Sequence, residues 1–422
     1  MKVTDFAHSP LPQMALVTQH LPEDHIPDVR ETTCRRLLEA GLRDKVGSGK
    51  RIAITAGSRG MGGFVDLLAG IADAVREAGG EPFIVPAMGS HGGATPEGQS
   101  AILERLGVTE QAVGAPIHAT METMTLGTAE NGAGAHLDRN AAEADGIIVL
   151  GRVKTHPEYD ERIASGLLKM VTIGLGKQAG AQSAHNHGLW DSVLAVPRVV
   201  LDSAKILFGV AVVENGYRQP MEIEVVPPSY DAFHEADVRL LNLAREHVAT
   251  IPFEHLDLLV VDEIGKNISG SGMDLNVIGR WRATGKGPQV PNYHRIVALS
   301  LTYPSLGNGL GVGLADFTTR RFMDAYDPAV TYINLLTATE PNSTTYEGPM
   351  PLALCSDREA IEVGLYAALP QAAPRLCRIR NTAELGRFWA SEALLDEVRQ
   401  HPRLTIAQPP APMPFDEQGN LF

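Results

Sequence analysis

"RIAITAGSRGMGGFVDLLAGIADAVREAGGEPFIVPAMG", residues 51–89, holds an apolar run, a glycine-rich turn, an amphipathic stretch closed by glycine and a second apolar run. Residues 51–57 read as a buried strand, because a short run of apolar residues bounded by glycine is covered on both faces. In 64–80 the apolar residues recur at helical spacing and glycine ends the segment, which predicts a helix. Residues 82–89 predict the next strand. Strand, helix and strand in that order form a βαβ unit, whose crossover makes the two strands parallel.

The same alternation continues outward. A short helix is predicted over 95–107, with Thr95 as N-cap, Pro96 at its first position and Gly107 at its end. Buried strands are predicted at 144–151 and 204–216, and a helix at 235–249. The strand at 256–263 opens a second half, so a lobe boundary is expected within 230–255. The fold class is α/β, with two lobes, each a mainly parallel sheet flanked by helices, and the active site expected in the interlobe crevice. The lobes are expected at 1–250 and 251–400. The proline-rich end "PPAPMPFDEQGNLF" makes 401–422 an arm, and 381–398 reads as a capped helix with Trp389 buried.

Composition limits the function classes. With 44% apolar and 20% charged residues among 422, the chain reads as globular, and 42 glycines with 5% aromatics suit many tight strand-to-helix turns. A net charge of -14 argues against nucleic acid or an anionic membrane surface as the main partner. Cys34, Cys355 and Cys377 form no CxxC pair, so neither a disulfide framework nor a zinc ribbon is indicated. The first residues lack the apolar core of an export signal and no segment approaches the roughly 20 apolar residues of a membrane span. A cytoplasmic enzyme is expected.

Three loops at predicted strand ends concentrate glycine and ionisable groups: "AGSRGMGG", "MGSHGGATPEGQ" and "GRVKTHPEYDERIASGLLK". The C-terminal ends of parallel strands open on one edge, where ligands bind. Arg59, His91 and His156 are therefore expected at one pocket. The first loop presents backbone N–H groups and a helix start to a phosphate, or is a plain tight turn; it lacks the spacing of a P-loop or of GxGxxG. Each histidine is either a loop residue bonded to backbone or half of an acid/base pair, since a free imidazole titrates at about 6.5.

Lys169 sits among Leu167, Leu168, Met170, Val171, Ile173 and Leu175, which predicts a buried segment with an ammonium inside it. Such a charge is costly unless paired or deprotonated, and a desolvated lysine is a good nucleophile; the alternative is a snorkelling or salt-bridged lysine. Lys177 in "GLGKQAG" reads as a flexible-loop lysine for a phosphate or carboxylate. His185 and His187 in "SAHNHG" do not make a zinc signature, yet one could complete a metal site whose other donors come from a cofactor.

The ordered set Arg59, His91, His156, Lys169 and His187 resembles the lactate racemase family, over about residues 30 to 400. That resemblance implies a nickel-pincer nucleotide (pyridinium-3,5-bisthiocarboxylic acid mononucleotide nickel), loaded by cofactor-biosynthesis enzymes, and a small-molecule 2-hydroxy acid substrate. It implies that His91 and His156 are the acid/base pair, that Arg59 serves cofactor or substrate, that Lys169 contacts or covalently holds the cofactor, and that His187 binds nickel, with His185 as substitute. Lys266 is the second substrate-binding candidate, with Asn276 and Arg280 beside it; Arg280 reads equally as an exposed loop residue. The chain departs from the family pattern at "SHGG", at "SGLLK" and at "DEIGKNISGSGMDLNVIGR", so a changed pocket is expected, with a short-chain acid and a sugar acid both open as substrate and the larger acids the first to test. The implied activity is racemisation or epimerisation at the hydroxyl-bearing carbon. The alternatives are a Schiff-base lyase or aldolase built on Lys169, and a non-catalytic cofactor-binding protein.

Overall fold

The computed structural model describes residues 9–155, 163–280, 290–338, 349–370 and 372–421. Two compact units emerge among these, one from residues 23–155 and 163–248, the other from 9–22 and 249–421. The chain begins in the second unit with β1 (Met14–Gln19), and all strands of the first unit follow it.

In the first unit, β2 (Arg51–Ala56), β3 (Glu81–Pro86), β6 (Gly146–Arg152) and β7 (Ile206–Glu214) are parallel, and β8 (Pro220–Val226) closes the sheet antiparallel to β7. Their order is β3-β2-β6-β7-β8. Strand side chains alternate between faces. Ile52, Ile54 and Ile148 enter one core with Leu67, Leu68 and Ile71 of the helix Phe64–Glu77. Ala53, Ile147 and Val149 enter the opposite core with Leu167, Leu168, Phe233 and Leu240. Burial on both faces explains why these strands are continuously apolar. A separate hairpin, β4 (Thr123–Thr128) with β5 (Gly134–Asp138), packs against the helix Lys177–Asn186.

In the second unit, β9 (His255–Ile264), β10 (Asn292–Leu301), β11 (Phe317–Thr319), β12 (Leu352–Leu354) and β13 (Leu376–Ile379) are parallel. Next to β13 lie β14 (Arg387–Ser391), β1 and β15 (Leu404–Ala411), all paired antiparallel. The sheet order is β12-β11-β10-β9-β13-β14-β1-β15.

Three expectations change here. The first 22 residues do not join the first lobe, because β1 pairs with β14 and β15. The expected arm is a strand followed by a docked end: Leu421 N–H donates to the Asp357 carboxylate at 2.8 Å, and Met413 and Leu421 are buried. Pro409 and Pro410 are compatible with β15 because it is an edge strand, where an absent N–H breaks no ladder. The stretch read as a helix over 381–398 instead contains β14, in which Phe388 and Ala390 point into the core while Trp389 lies half-buried on the other face beneath the Arg378 guanidinium. No helix among the described residues is long and apolar enough to cross a membrane.

Candidate functional site

Strands β2, β3 and β6 are parallel neighbours, so the loops after Ala56, Pro86 and Arg152 leave the same edge of the first sheet. The first two loops are tied together there. Ser58 Oγ lies 2.5 Å from His91 Nδ1, which fixes the imidazole between them while the residue stays exposed. Arg59, next to Ser58, is also exposed. His156 lies outside the described residues.

The His91 loop is held from beneath by a buried polar chain. Gln99, on the helix Pro96–Arg105, donates from Nε2 to the carbonyls of Gly89 at 2.9 Å and His91 at 3.3 Å. Its Oε1 accepts from Lys177 Nζ at 3.0 Å. Lys177 also donates to the carbonyl of Pro86, the last residue of β3, and pairs with Asp138 at 2.9 Å, both side chains being 0% exposed. Burial pushes the Lys177 ammonium down and the Asp138 carboxyl up from their ordinary values, each opposed by the partner's charge. Lys177 is thus no flexible-loop lysine: its backbone adopts φ 54° and its side chain turns into the core.

Lys169 follows β6 on a tight run, the turn Leu167–Lys169 continuing into a π-helical turn over Met170–Gly174. Leu167 and Leu168 N–H groups each donate at 2.9 Å to the carboxylate of Asp237, which reaches across from the helix Tyr230–His247. The approach is so close that a Cβ at Gly166 would strike that carboxylate. Burial pushes the Asp237 carboxyl up to about 7, against the pull of its two N–H donors. Leu167, Leu168, Val171 and Leu175 face the core, but Lys169 is only half-buried, its Nζ 5.1 Å from the centre of the Trp190 ring. The expected buried ammonium is therefore Lys177 and not Lys169, because the helical turn carries Lys169 off the apolar face. The π turn meets the second loop, where Gly89 N–H donates to Gly174 carbonyl at 3.4 Å.

His187 ends the helix Lys177–Asn186, and Trp190 lies three residues further on, in the first turn of the helix Leu189–Ser203. The exposed His187 ring has Nδ1 2.9 Å from the Ser183 carbonyl. The tip of the β4–β5 hairpin leans on it: Asn131 Nδ2 donates to the His187 carbonyl at 3.3 Å and to Ser192 Oγ at 2.9 Å. At Gly132, with φ 89°, a Cβ would lie 3.2 Å from the ring, so glycine suits both the conformation and the space. His185 lies half-buried on the same helix.

The remaining candidates belong to the second unit. Lys266 follows β9, its ammonium donating to the Gly270 carbonyl at 2.5 Å and its backbone N–H to Ser305 Oγ at 3.0 Å. Asn276 donates to Asp274 Oδ1 at 2.9 Å, within the cap of a short helix. Arg280 is not an exposed loop residue: its side chain is 9% exposed, pairs with Asp316 at 2.6 Å and donates to three backbone carbonyls. That bonding makes it a structural cation.

Among the described residues no group of three or more His, Cys, Asp or Glu side chains could hold a metal ion. Glycine-rich loops at the C-terminal edge of a parallel sheet, with an imidazole and an ammonium on successive connections, define an α/β protein with a ligand-binding type of sheet edge. A family described as a domain of unknown function (DUF362) matches residues 63–349, and the chain belongs to that family. No curated protein matches. Among solved structures, the lactate racemase apoprotein from Thermoanaerobacterium thermosaccharolyticum is similar at 14% identity and a TM-score of 0.39, over 59% of this chain and 66% of that one, just under two thirds of its length.

Proposed function

We propose that this chain is a racemase or epimerase of 2-hydroxy acids that works with the nickel-pincer nucleotide. The observation that carries the reading is the tied pair Ser58 and His91 at the sheet edge whose third connection bears Lys169. The donor set suits the cofactor. With His187 Nδ1–H donating to the Ser183 carbonyl, Nε2 keeps its lone pair and would supply one imidazole donor to the metal of that group. Lys169 would contact the organic part and Arg59 its phosphate or the substrate carboxylate.

When bound, that group supplies a reversible acceptor for the hydrogen on the hydroxyl-bearing carbon. His91 takes the hydroxyl proton at Nε2 while Ser58 Oγ accepts its Nδ1 proton, which steadies the imidazolium as it forms. A transient 2-keto acid results. By the role the resemblance implies for it, His156 would return the proton once the keto acid has turned its other face to the acceptor, so that return of the hydrogen inverts the centre. The Schiff-base alternative draws no specific support from the surroundings of Lys169, whose Nζ lies over the Trp190 ring.

Protein produced with the cofactor-biosynthesis enzymes, in cytoplasm, should retain nickel and interconvert the two configurations of a 2-hydroxy acid. Substrate deuterated at the reacting carbon should react more slowly and keep most of its label. His91→Ala should lower the rate about 10²- to 10⁴-fold. Washout of label without a kinetic isotope effect would overturn the hydride reading, and nickel-free, inactive protein after co-production would overturn the cofactor.

A further inference from the structure

Lys177 touches no ligand in the reading above, yet it is among the most fully enclosed side chains of the chain. Its ammonium donates to Gln99 Oε1 and the Pro86 carbonyl and forms an ion pair with Asp138 Oδ2. These come from three separate places, namely the end of β5, the helix after the His91 loop and the last residue of β3. Gln99 is itself 0% exposed, and its remaining protons go to the carbonyls of Gly89 and His91. The ammonium thus clamps the start of the loop directly, and its middle through one amide.

Stability alone does not explain this arrangement. Apolar residues of similar volume often replace a buried ion pair without loss, so stability is not by itself a reason for a pair at this place. The backbone of Lys177 also holds a left-handed φ of 54°, which costs a residue with a Cβ about 1–2 kcal/mol and persists only where surrounding contacts require it. Leu175, two residues earlier, accepts from Asp138 N–H at 2.7 Å, so the same aspartate anchors both backbone and side chain of this corner. The corner continues from the Lys169 turn. One aspartate, one lysine and one glutamine therefore connect the segment bearing Lys169 to the loop bearing His91.

We infer that Lys177 is a positioning residue for His91, acting through Gln99 to set that imidazole against the Lys169 segment. The inference rests on the acid/base role proposed for His91, but its test does not depend on turnover. In the parent chain, ring ¹⁵N shifts of His91, assigned by their loss in His91→Gln, should show the two separated nitrogens of a single tautomer fixed by Ser58. Gln99→Met keeps the Lys177–Asp138 pair and removes the two bonds to the loop. In that variant the two shifts should move toward their average, as the ring exchanges between tautomers.

Lys177→Met combined with Asp138→Asn removes both charges and keeps the Asp138 cap on Ala141 N–H. It should move the His91 shifts in the same direction. In cofactor-loaded protein both variants should lower kcat about 10- to 100-fold with nickel per chain unchanged. Unaltered His91 shifts in Gln99→Met, whatever happens to its melting temperature, would overturn the inference, and this single variant decides the matter if the double one does not fold. Shifts that move in protein without racemase activity would leave the positioning role standing and remove only the proposed reaction.

Discussion

Lys169 and Lys177 stand on one succession of helical turns in the first unit and meet opposite environments. Lys169 is flanked by apolar residues, yet its ammonium lies half-exposed over the Trp190 ring. Lys177 lies between glycines in sequence, yet it is enclosed and bound to Asp138. The difference shows that apolar neighbours along the chain do not bury an ammonium. A partner reaching it from elsewhere does. The anchoring aspartates differ in the same way: Asp138 meets the charge of its lysine, whereas Asp237 holds only the backbone of the turn that carries Lys169.

The largest effect that this contrast predicts is on stability. Lys177→Met leaves the Asp138 carboxylate buried without its cation and should cost about 3–5 kcal/mol in urea unfolding. A loss below about 1 kcal/mol would erase the distinction between the two lysines.

A smaller effect concerns pH. Burial raises the Asp237 carboxyl to about 7, so between its unfolded value near 4 and about 7 the folded chain holds a proton that the unfolded chain releases. This contribution is fully present at low pH and declines as pH rises through about 7, by at most about 1.4 kcal/mol per unit. The stability of the parent relative to Asp237→Asn should therefore fall between pH 5 and pH 8. A difference that stays flat would mean that the carboxyl is ionised throughout and that its two N–H donors outweigh its burial.

The smallest expected stability change belongs to Lys169→Met, about 1 kcal/mol or less, because its contact with Trp190 is only partly desolvated. Its effect should appear in binding instead. Nickel retained by protein made with the biosynthetic enzymes should drop in Lys169→Ala and His187→Ala and less in His185→Ala. Full retention in His187→Ala with loss in His185→Ala would exchange the two imidazoles.

The βαβ succession from β2 to β3 was readable because both strands are buried on two faces and the helix between them has a regular apolar stripe. Strand β14 was not, since its five residues carry only two inward side chains and lie among good helix formers. The network under His91 was hidden for a different reason: Asp138, Gln99 and Lys177 are distant in sequence and each is ordinary alone. One signal was present. Gln99 falls on the same helix face as Leu103, a polar residue on an apolar stripe, and Asp237 beneath the Lys169 turn carries the same mark beside Leu240 and Leu241. Arg280 carried no such mark, because its partner Asp316 lies 36 residues further on, beyond β10.

The place of β1 in the second sheet sets a timetable for synthesis. Met14 pairs with Ser391, and Gln19 with Leu404, so this strand leaves the ribosome long before either neighbour has been made. At about 5–20 residues per second the wait is roughly 20–75 s. All strands of the first sheet appear during that interval and can associate while β1 is still a bare edge with unsatisfied N–H and C=O groups. A nascent chain stalled before β14 would thus carry the first sheet, strands β9 to β13 of the second, and β1 with neither of its partners, and that lone strand is where a chaperone, or a second nascent chain, would find its hold.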